Sequence, residues 1–226
     1  MTKNPLGKPQ DGFMARHFDR RISGAITRRL AKTPLLPNHI TAVSIAIGLL
    51  GALLLISTQA TAILGGTFLL LLHSVVDGCD GELARLKGLE SRVGAALDFF
   101  GDNLVHIALF SCLAVGLWRT SDDFLFLWLG FSANLGTLAS SIFYFSFSKT
   151  HPSPLTPHPS LIDRLAQRDF LYLLPFLALT EKLSWFLWMA AIGSPAFFLV
   201  LLFLEIRKPR TDHDNLEFGL EKSSHV

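Results

Sequence analysis

Residues 67–118 read TFLLLLHSVVDGCDGELARLKGLESRVGAALDFFGDNLVHIALFSCLAVGLW, and this stretch decides the fold. It belongs to two largely apolar segments, 61–84 and 94–118. Each exceeds the roughly 20 residues an α-helix needs to cross a hydrocarbon core about 30 Å thick. Within these segments stand four aspartates, Asp77, Asp80, Asp98 and Asp102. A carboxylate at mid-bilayer costs about 2.5 to 3.5 kcal/mol on insertion scales, so four together demand compensation. Asp77 and Asp80 are three apart and Asp98 and Asp102 four apart, which projects each pair from one face of its helix. Two facing helices then present four carboxylates. These repel and tend to take up protons, and hard divalent cations bound through oxygen relieve both problems. A two-metal site with ions about 4 Å apart is the economical expectation.

The rest of the chain supports lipid as its solvent. Half of the 226 residues are hydrophobic and 17% are charged, against about 25% charged in an ordinary soluble domain; mean hydropathy is +0.42. The apolar runs predict six spanning helices, at 37–57, 61–84, 94–118, 123–147, 169–181 and 184–205, the fifth being short. The fold class expected is therefore an all-α integral membrane protein. The expected organisation is an N-terminal segment 1–33, a membrane catalytic domain 34–208, and a polar, disordered tail 209–226. The first thirty residues are polar and basic, so no cleavable signal peptide is expected. A net charge of +2 gives no argument for nucleic acid. Cys79 and Cys112 fall in apolar helical segments and read as buried free thiols.

Residues 12–33 place Phe13, Phe18, Ile22, Ile26 and Leu30 at spacings near three and four, with Arg16, Arg20, Arg21, Arg28 and Arg29 between them. This pattern predicts an amphipathic helix lying in the membrane interface, its arginines among anionic headgroups. Basic residues recur at 85–92, 148–168 and beyond 206, alternating with connections poor in Lys and Arg. The positive-inside rule then puts both termini and the aspartate end of the spans in the cytoplasm, consistent with the cell inner membrane.

Around the acids, Gly78, Gly81, Ala84, Gly94, Ala95 and Gly101 strip side chains from the helix faces, which allows close helix approach or leaves room for a ligand. Arg85 follows Gly81 by four and shares the aspartate face, where its guanidinium can hold a diphosphate bidentately. Cation and arginine together point to phosphate chemistry. A carboxylate-lined ion or proton transporter is the alternative. It accounts for the aspartates and leaves Gly81, Ala84, Arg85 and Gly94 in register with them for no reason.

Asp77, Asp80, Gly81, Ala84, Arg85, Gly94, Asp98 and Asp102 match every fixed position and spacing of the CDP-alcohol phosphotransferase signature. The chain thus resembles that family over about 34–206. Pro37, Asn38 and Thr41 resemble the family's upstream element, with Leu36 where Thr is common. The resemblance implies metal ligation by Asp77, Asp80, Asp98 and Asp102, with Asp102 also the general base, and two Mg²⁺ or Mn²⁺ ions. It implies CDP contacts from Asn38, His39, Ile40, Thr41, Gly81, Arg85 and Ser91, and a homodimer. The reaction implied moves a phosphoalcohol group from a CDP-activated donor to an acceptor hydroxyl and releases CMP.

The two alcohols are less legible. The stretch KPQDGFMARHFDRRIS (8–23) resembles di-myo-inositol phosphate phosphate synthases, which join CDP-inositol to inositol phosphate. Those enzymes are often fused to a cytidylyltransferase domain, so a separate protein is expected to supply the donor. The competing choice is a phosphatidyltransferase taking CDP-diacylglycerol to inositol phosphate or glycerol phosphate. Lys149, Arg168 and Arg207, at the ends of later spans, are candidates for a phosphorylated acceptor, although topology alone also requires basic residues there. His73, four before Asp77, His106, four after Asp102, and Asn134 read as interhelical hydrogen-bonding groups. The four tryptophans read as interfacial anchors and packing.

Overall fold

A computed structural model describes residues 20–150 and 168–206. Its elements among these are all helices: α1 (Arg20–Leu30), α2 (Pro37–Leu54), α3 (Ala60–Lys87), α4 (Arg92–Ser121), α5 (Leu125–Thr150), a 3₁₀ turn (Arg168–Tyr172) running into α6 (Leu173–Leu179), and α7 (Leu183–Ile206). Among the described residues, five helices are long and apolar enough to cross a membrane: α2, α3, α4, α5 and α7. At most 39% of each spanning window is buried within the protein. Side chains such as Val43, Phe68, Phe131 and Ile192 therefore face outward, where only an apolar solvent receives them without penalty. The protein is an all-α integral membrane protein.

The span expected at 169–181 differs from the others. Its apolar helix, Phe170–Leu179, has ten residues and rises about 15 Å, half of the hydrocarbon thickness. Pro175 sits in the first turn of α6, and Glu181, just past its end, is in the left-handed conformation, with φ 57°. The N-terminal stretch 1–19 and the tail beyond 206 lie outside the described residues, so the full amphipathic helix and the polar tail are not seen.

Local chemistry sets the ends of the helices that matter. Pro37 opens α2, where a missing N–H costs nothing because that N–H has no intrahelical partner. Gly88 closes α3 in the left-handed region at φ 63°, and Leu89 N–H reaches back to the Ala84 carbonyl at 2.9 Å. Ser91 then caps α4, its Oγ accepting from Gly94 N–H at 3.0 Å. Chain direction thus reverses within a few residues between the aspartate pairs.

Helix α2 packs along both α3 and α4, whereas α3 and α4 make hardly any close backbone approach to each other. Gly101 makes one of these contacts possible: a Cβ there would run into Ile45 of α2. Below the site the core is built from Leu55, Leu70, Leu109, Leu113, Leu174 and Leu187, joining α2, α3, α4, α6 and α7. A second, small cluster holds Ile40, Cys79 and Leu83, with Ile26 and Leu30 of α1 packed on it. Part of the apolar stripe of α1 therefore lies against α3.

Candidate active site

At 28 and 30 residues, α3 and α4 rise about 42 and 45 Å, well beyond a 30 Å hydrocarbon core. Asp77 and Asp80 stand in the second half of α3 and Asp98 and Asp102 in the first half of α4, so all four gather toward the end where the two helices connect. One carboxylate oxygen each from Asp77, Asp98 and Asp102 lies within 4.8 Å of the other two. Asp77 is buried, and Asp98 and Asp102 are half-buried. Because α3 and α4 stand apart, these acids meet across a gap walled on one side by α2. An all-oxygen donor set of this kind, with three negative charges in a partly desolvated place, suits a hard divalent cation.

Asp80 has a different immediate setting. Its Oδ2 accepts from the Thr41 hydroxyl of α2 at 2.5 Å, and its Oδ1 accepts from the Gly81 N–H. It is outside the three-carboxylate group, one helical turn along α3 from Asp77. Spacing places Asp77 and Asp80 on one face, and it says nothing of which neighbour each carboxylate then meets.

Neither histidine enters the oxygen cluster through the geometry described. His73 is buried, its Nδ1 lies 2.9 Å from the Ser44 carbonyl of α2, and its Nε2 lies 3.9 Å from Asp102 Oδ1. His106 places its Nδ1 2.8 Å from the Asp102 carbonyl and its ring near Phe110 and Phe170. Asn134 Nδ2 donates to Ser111 Oγ at 2.9 Å, an interhelical hydrogen bond as expected. Cys79 and Cys112 are free thiols.

The residues implied for CDP cluster at the same end. A Cβ on Gly94 would lie 3.3 Å from Asn38 Oδ1 and 3.1 Å from Ser91 Oγ, so the starts of α2 and α4 meet there. A Cβ on Gly81 would lie 3.5 Å from Arg85 Nη1, which sets the guanidinium over Gly81 on the aspartate side of α3. His39 is exposed, and its Nδ1 accepts from Leu36 N–H at 3.4 Å. Ile40 turns its side chain into the cluster with Cys79 and Leu83. Of the acceptor candidates, Arg207 and the side chains of Lys149 and Arg168 lie outside what is described.

Two fastenings went unread in the sequence. Lys87 Nζ donates to the Thr33 and Leu35 carbonyls at 2.7 and 2.8 Å, tying the end of α3 to the segment before α2. Glu82 is buried and accepts from Ser23 and Thr27 of α1. Ser23 and Thr27 are four apart on a helix face, which was the one available signal for the second.

The family profile of CDP-alcohol phosphatidyltransferase matches residues 34–196. Proteins named bifunctional IPC transferase and DIPP synthase are similar to parts of the chain. That of Rubrobacter xylanophilus is 46% identical over 106 residues, 47% of this chain and 24% of its own. That of Aquifex aeolicus is 36% identical over 125 residues, 55% of this chain and 28% of its own. That of Archaeoglobus fulgidus is 26% identical over 202 residues, 88% and 40%. The chain thus spans between 24% and 40% of the length of these relatives. Crystal structures of the phosphatidylinositol phosphate synthase of Mycobacterium tuberculosis share the fold. The form with CDP-DAG bound gives a TM-score of 0.63 at 19% identity, over 81% of this chain and 92% of that one. The form with manganese and citrate gives 0.64, also at 19% identity, over 83% and 90%. With its signature residues gathered at one end of the bundle and the profile covering most of its length, the chain belongs to the CDP-alcohol phosphatidyltransferase family.

Proposed function

We propose that the protein transfers a phosphoalcohol group from a CDP-activated donor to an acceptor hydroxyl and releases CMP. The observation that carries this reading is the meeting of Asp77, Asp98 and Asp102 within 4.8 Å, beside a helix whose next turn sets Arg85 over Gly81. Transfer at a CDP-linked phosphorus needs the diphosphate held and its charge offset, and a base close to the incoming hydroxyl. Asp77, Asp98 and Asp102, with Asp80 completing the set, would hold two divalent ions, Mg²⁺ or Mn²⁺. Such ions neutralise the diphosphate and stabilise departing CMP. The guanidinium of Arg85 grips the diphosphate, and Gly81 lets the nucleotide come close to α3. Asn38 and Ser91, where α2 and α4 begin, flank the cytidine side with His39, Thr41 and the Ile40 backbone. Asp102 takes the proton from the acceptor hydroxyl as that oxygen attacks the phosphorus carrying the donor alcohol. Buried beside Asp102, His73 is anchored by Ser44 and limits where the carboxylate can turn.

The basic residues Arg28, Arg29, Lys32, Arg85, Lys87 and Arg92 lie in or next to the helix ends that gather at the aspartate end of the bundle. This supports a cytoplasmic site in the inner membrane, with α1 at the interface. For the substrates, the relatives named DIPP synthase and the N-terminal stretch 8–23 favour CDP-inositol and inositol phosphate. CDP-diacylglycerol, with inositol phosphate or glycerol phosphate, is the competing pair. Lys149, Arg168 and Arg207 are the candidates to receive an acceptor phosphate, and a homodimer follows from the family resemblance.

Purified protein offered each CDP donor with each acceptor, with CMP measured, separates the pairs. CMP from CDP-inositol with inositol phosphate, and none from CDP-diacylglycerol, is the expected result. Release from CDP-diacylglycerol alone would make it a phospholipid synthase.

A further inference from the structure

Between Asp80 and Arg85, α3 carries a third acid to which the reaction assigns no role. Glu82 has a relative exposure of 0%, and α1 supplies a separate donor to each of its carboxylate oxygens. Ser23 Oγ donates to Oε1 at 2.9 Å and Thr27 Oγ1 donates to Oε2 at 3.0 Å. Both donors are themselves buried, and both interrupt what is otherwise the apolar side of α1. Burying a carboxylate costs several kcal/mol before its partners compensate, and an apolar residue of similar volume often does as well or better for stability. What such a group adds over an apolar one is direction. The other α1–α3 contacts are Ile26 and Leu30 packed on Cys79 and Leu83, which are apolar and non-directional, and a weak thiol donation from Cys79 Sγ to the Ser23 carbonyl at 3.7 Å.

That direction has a use. Asp80 and Glu82 are two residues apart, hence about 200° around the helix axis. Asp80 is held by Thr41 of α2 on one side and Glu82 by Ser23 and Thr27 of α1 on nearly the opposite side. Together they grip α3 at one level from two directions and set its rotation about its own axis. Asp77 and Arg85 share that rotation. A side-chain tip about 5 Å from the axis moves ~0.9 Å for each 10° of turn, whereas metal–ligand distances hold to about 0.2 Å. A small slip of α3 would therefore take Asp77 out of range of any ion shared with α4.

We propose that Glu82 is a positioning residue: through its clasp on Ser23 and Thr27 of α1 it sets the rotation of α3 and with it the aim of Asp77 at the ion site. The inference rests on the metal reading given under Proposed function.

The test is Mn²⁺ binding to purified protein by electron paramagnetic resonance, with no substrate present, alongside thermal unfolding in EDTA. Ser23→Ala/Thr27→Val removes both donors and leaves the sequence of α3 untouched, so it serves even where Glu82→Leu does not fold. The double variant is expected to bind Mn²⁺ about ten- to a hundredfold more weakly, as loss of groups that orient metal ligands usually does. Thr27→Ser keeps the hydroxyl and is expected to stay near wild type. Glu82→Gln is also expected to stay near wild type, because its amide oxygen accepts from one hydroxyl while its amide hydrogen is accepted by the other. Unchanged Mn²⁺ affinity in the double variant, with or without a lower unfolding temperature, overturns the proposal and leaves only a fastener. Thr27→Ser as weak as the double variant overturns it too. Wild-type protein that binds no Mn²⁺ overturns the metal reading itself, and this inference with it.

Discussion

The Thr41 hydroxyl of α2 donates to Asp80 Oδ2 of α3 at 2.5 Å, while the Pro37 carbonyl of its own helix lies farther from it, at 3.3 Å. One hydroxyl has one proton, and the shorter contact is with the carboxylate. A residue at the start of α2 thereby holds an acid on the neighbouring helix, one turn from the oxygen cluster of Asp77, Asp98 and Asp102. Thr41→Val keeps the shape and removes the donor. The Mg²⁺ concentration giving half-maximal CMP release is expected to rise about ten- to a hundredfold, and Thr41→Ser is expected to restore it. A Val variant with wild-type metal dependence would deny Asp80 a place in the ion site.

Arg85 tests the diphosphate contact. Arg85→Lys keeps the charge and loses the planar fork, which removes one charge-assisted hydrogen bond worth about 1.5 to 3 kcal/mol. The kcat/KM for the CDP donor is expected to fall roughly ten- to a hundredfold, with the KM for the acceptor unchanged. Equal effects on donor and acceptor would show that Arg85 does not discriminate between them.

Gly101 tests the packing of α4 on α2. A Cβ at this position would overlap Ile45, whose branched side chain has little freedom to move aside. Gly101→Ala is expected to destabilise the protein by about 1 to 3 kcal/mol, read as a lower unfolding temperature in detergent. Ile45→Ala added to it is expected to recover part of the loss. At Gly116, by contrast, the added carbon would meet the Leu55 backbone carbonyl, and no side-chain change can relieve that.

Lys87 tests the fastening of the α3 terminus. Its ammonium donates to the Thr33 and Leu35 carbonyls just before α2. Lys87→Met keeps much of the stem and drops both bonds. The segment leading to Asn38 is then less well placed, so the donor KM is expected to rise several-fold with kcat little changed. A variant that changes kcat alone would contradict this.

The four aspartates, their pairing and the helical membrane fold were all legible, because period and spacing say directly which residues share a helix face. Three of the four acids do converge. The separate setting of Asp80 was not legible, since Thr41 lies 39 positions earlier and only tertiary packing brings the two together. Nor was the packing of α2 along both α3 and α4, because a sequence pattern shows that a face is apolar and not which helix covers it. For the same reason the spacing on α1 showed an apolar stripe and not that Ile26 and Leu30 of it pack on α3. The short helix Phe170–Leu179 was expected as the fifth of six spans; it has ten residues, and the left-handed Glu181 follows its end. Glu82 stood in view between Asp80 and Arg85, and its part became visible only with Ser23 and Thr27 opposite it.

The most direct test of the central claim is CMP release by purified protein from CDP-inositol and from CDP-diacylglycerol, each with inositol phosphate, in Mg²⁺ and in EDTA, with Asp102→Asn alongside. The account predicts release from at least one donor in Mg²⁺, none in EDTA, and a fall of several orders of magnitude in Asp102→Asn, the base being lost along with an ion ligand. Metal-independent release, or Asp102→Asn as active as wild type, would contradict it.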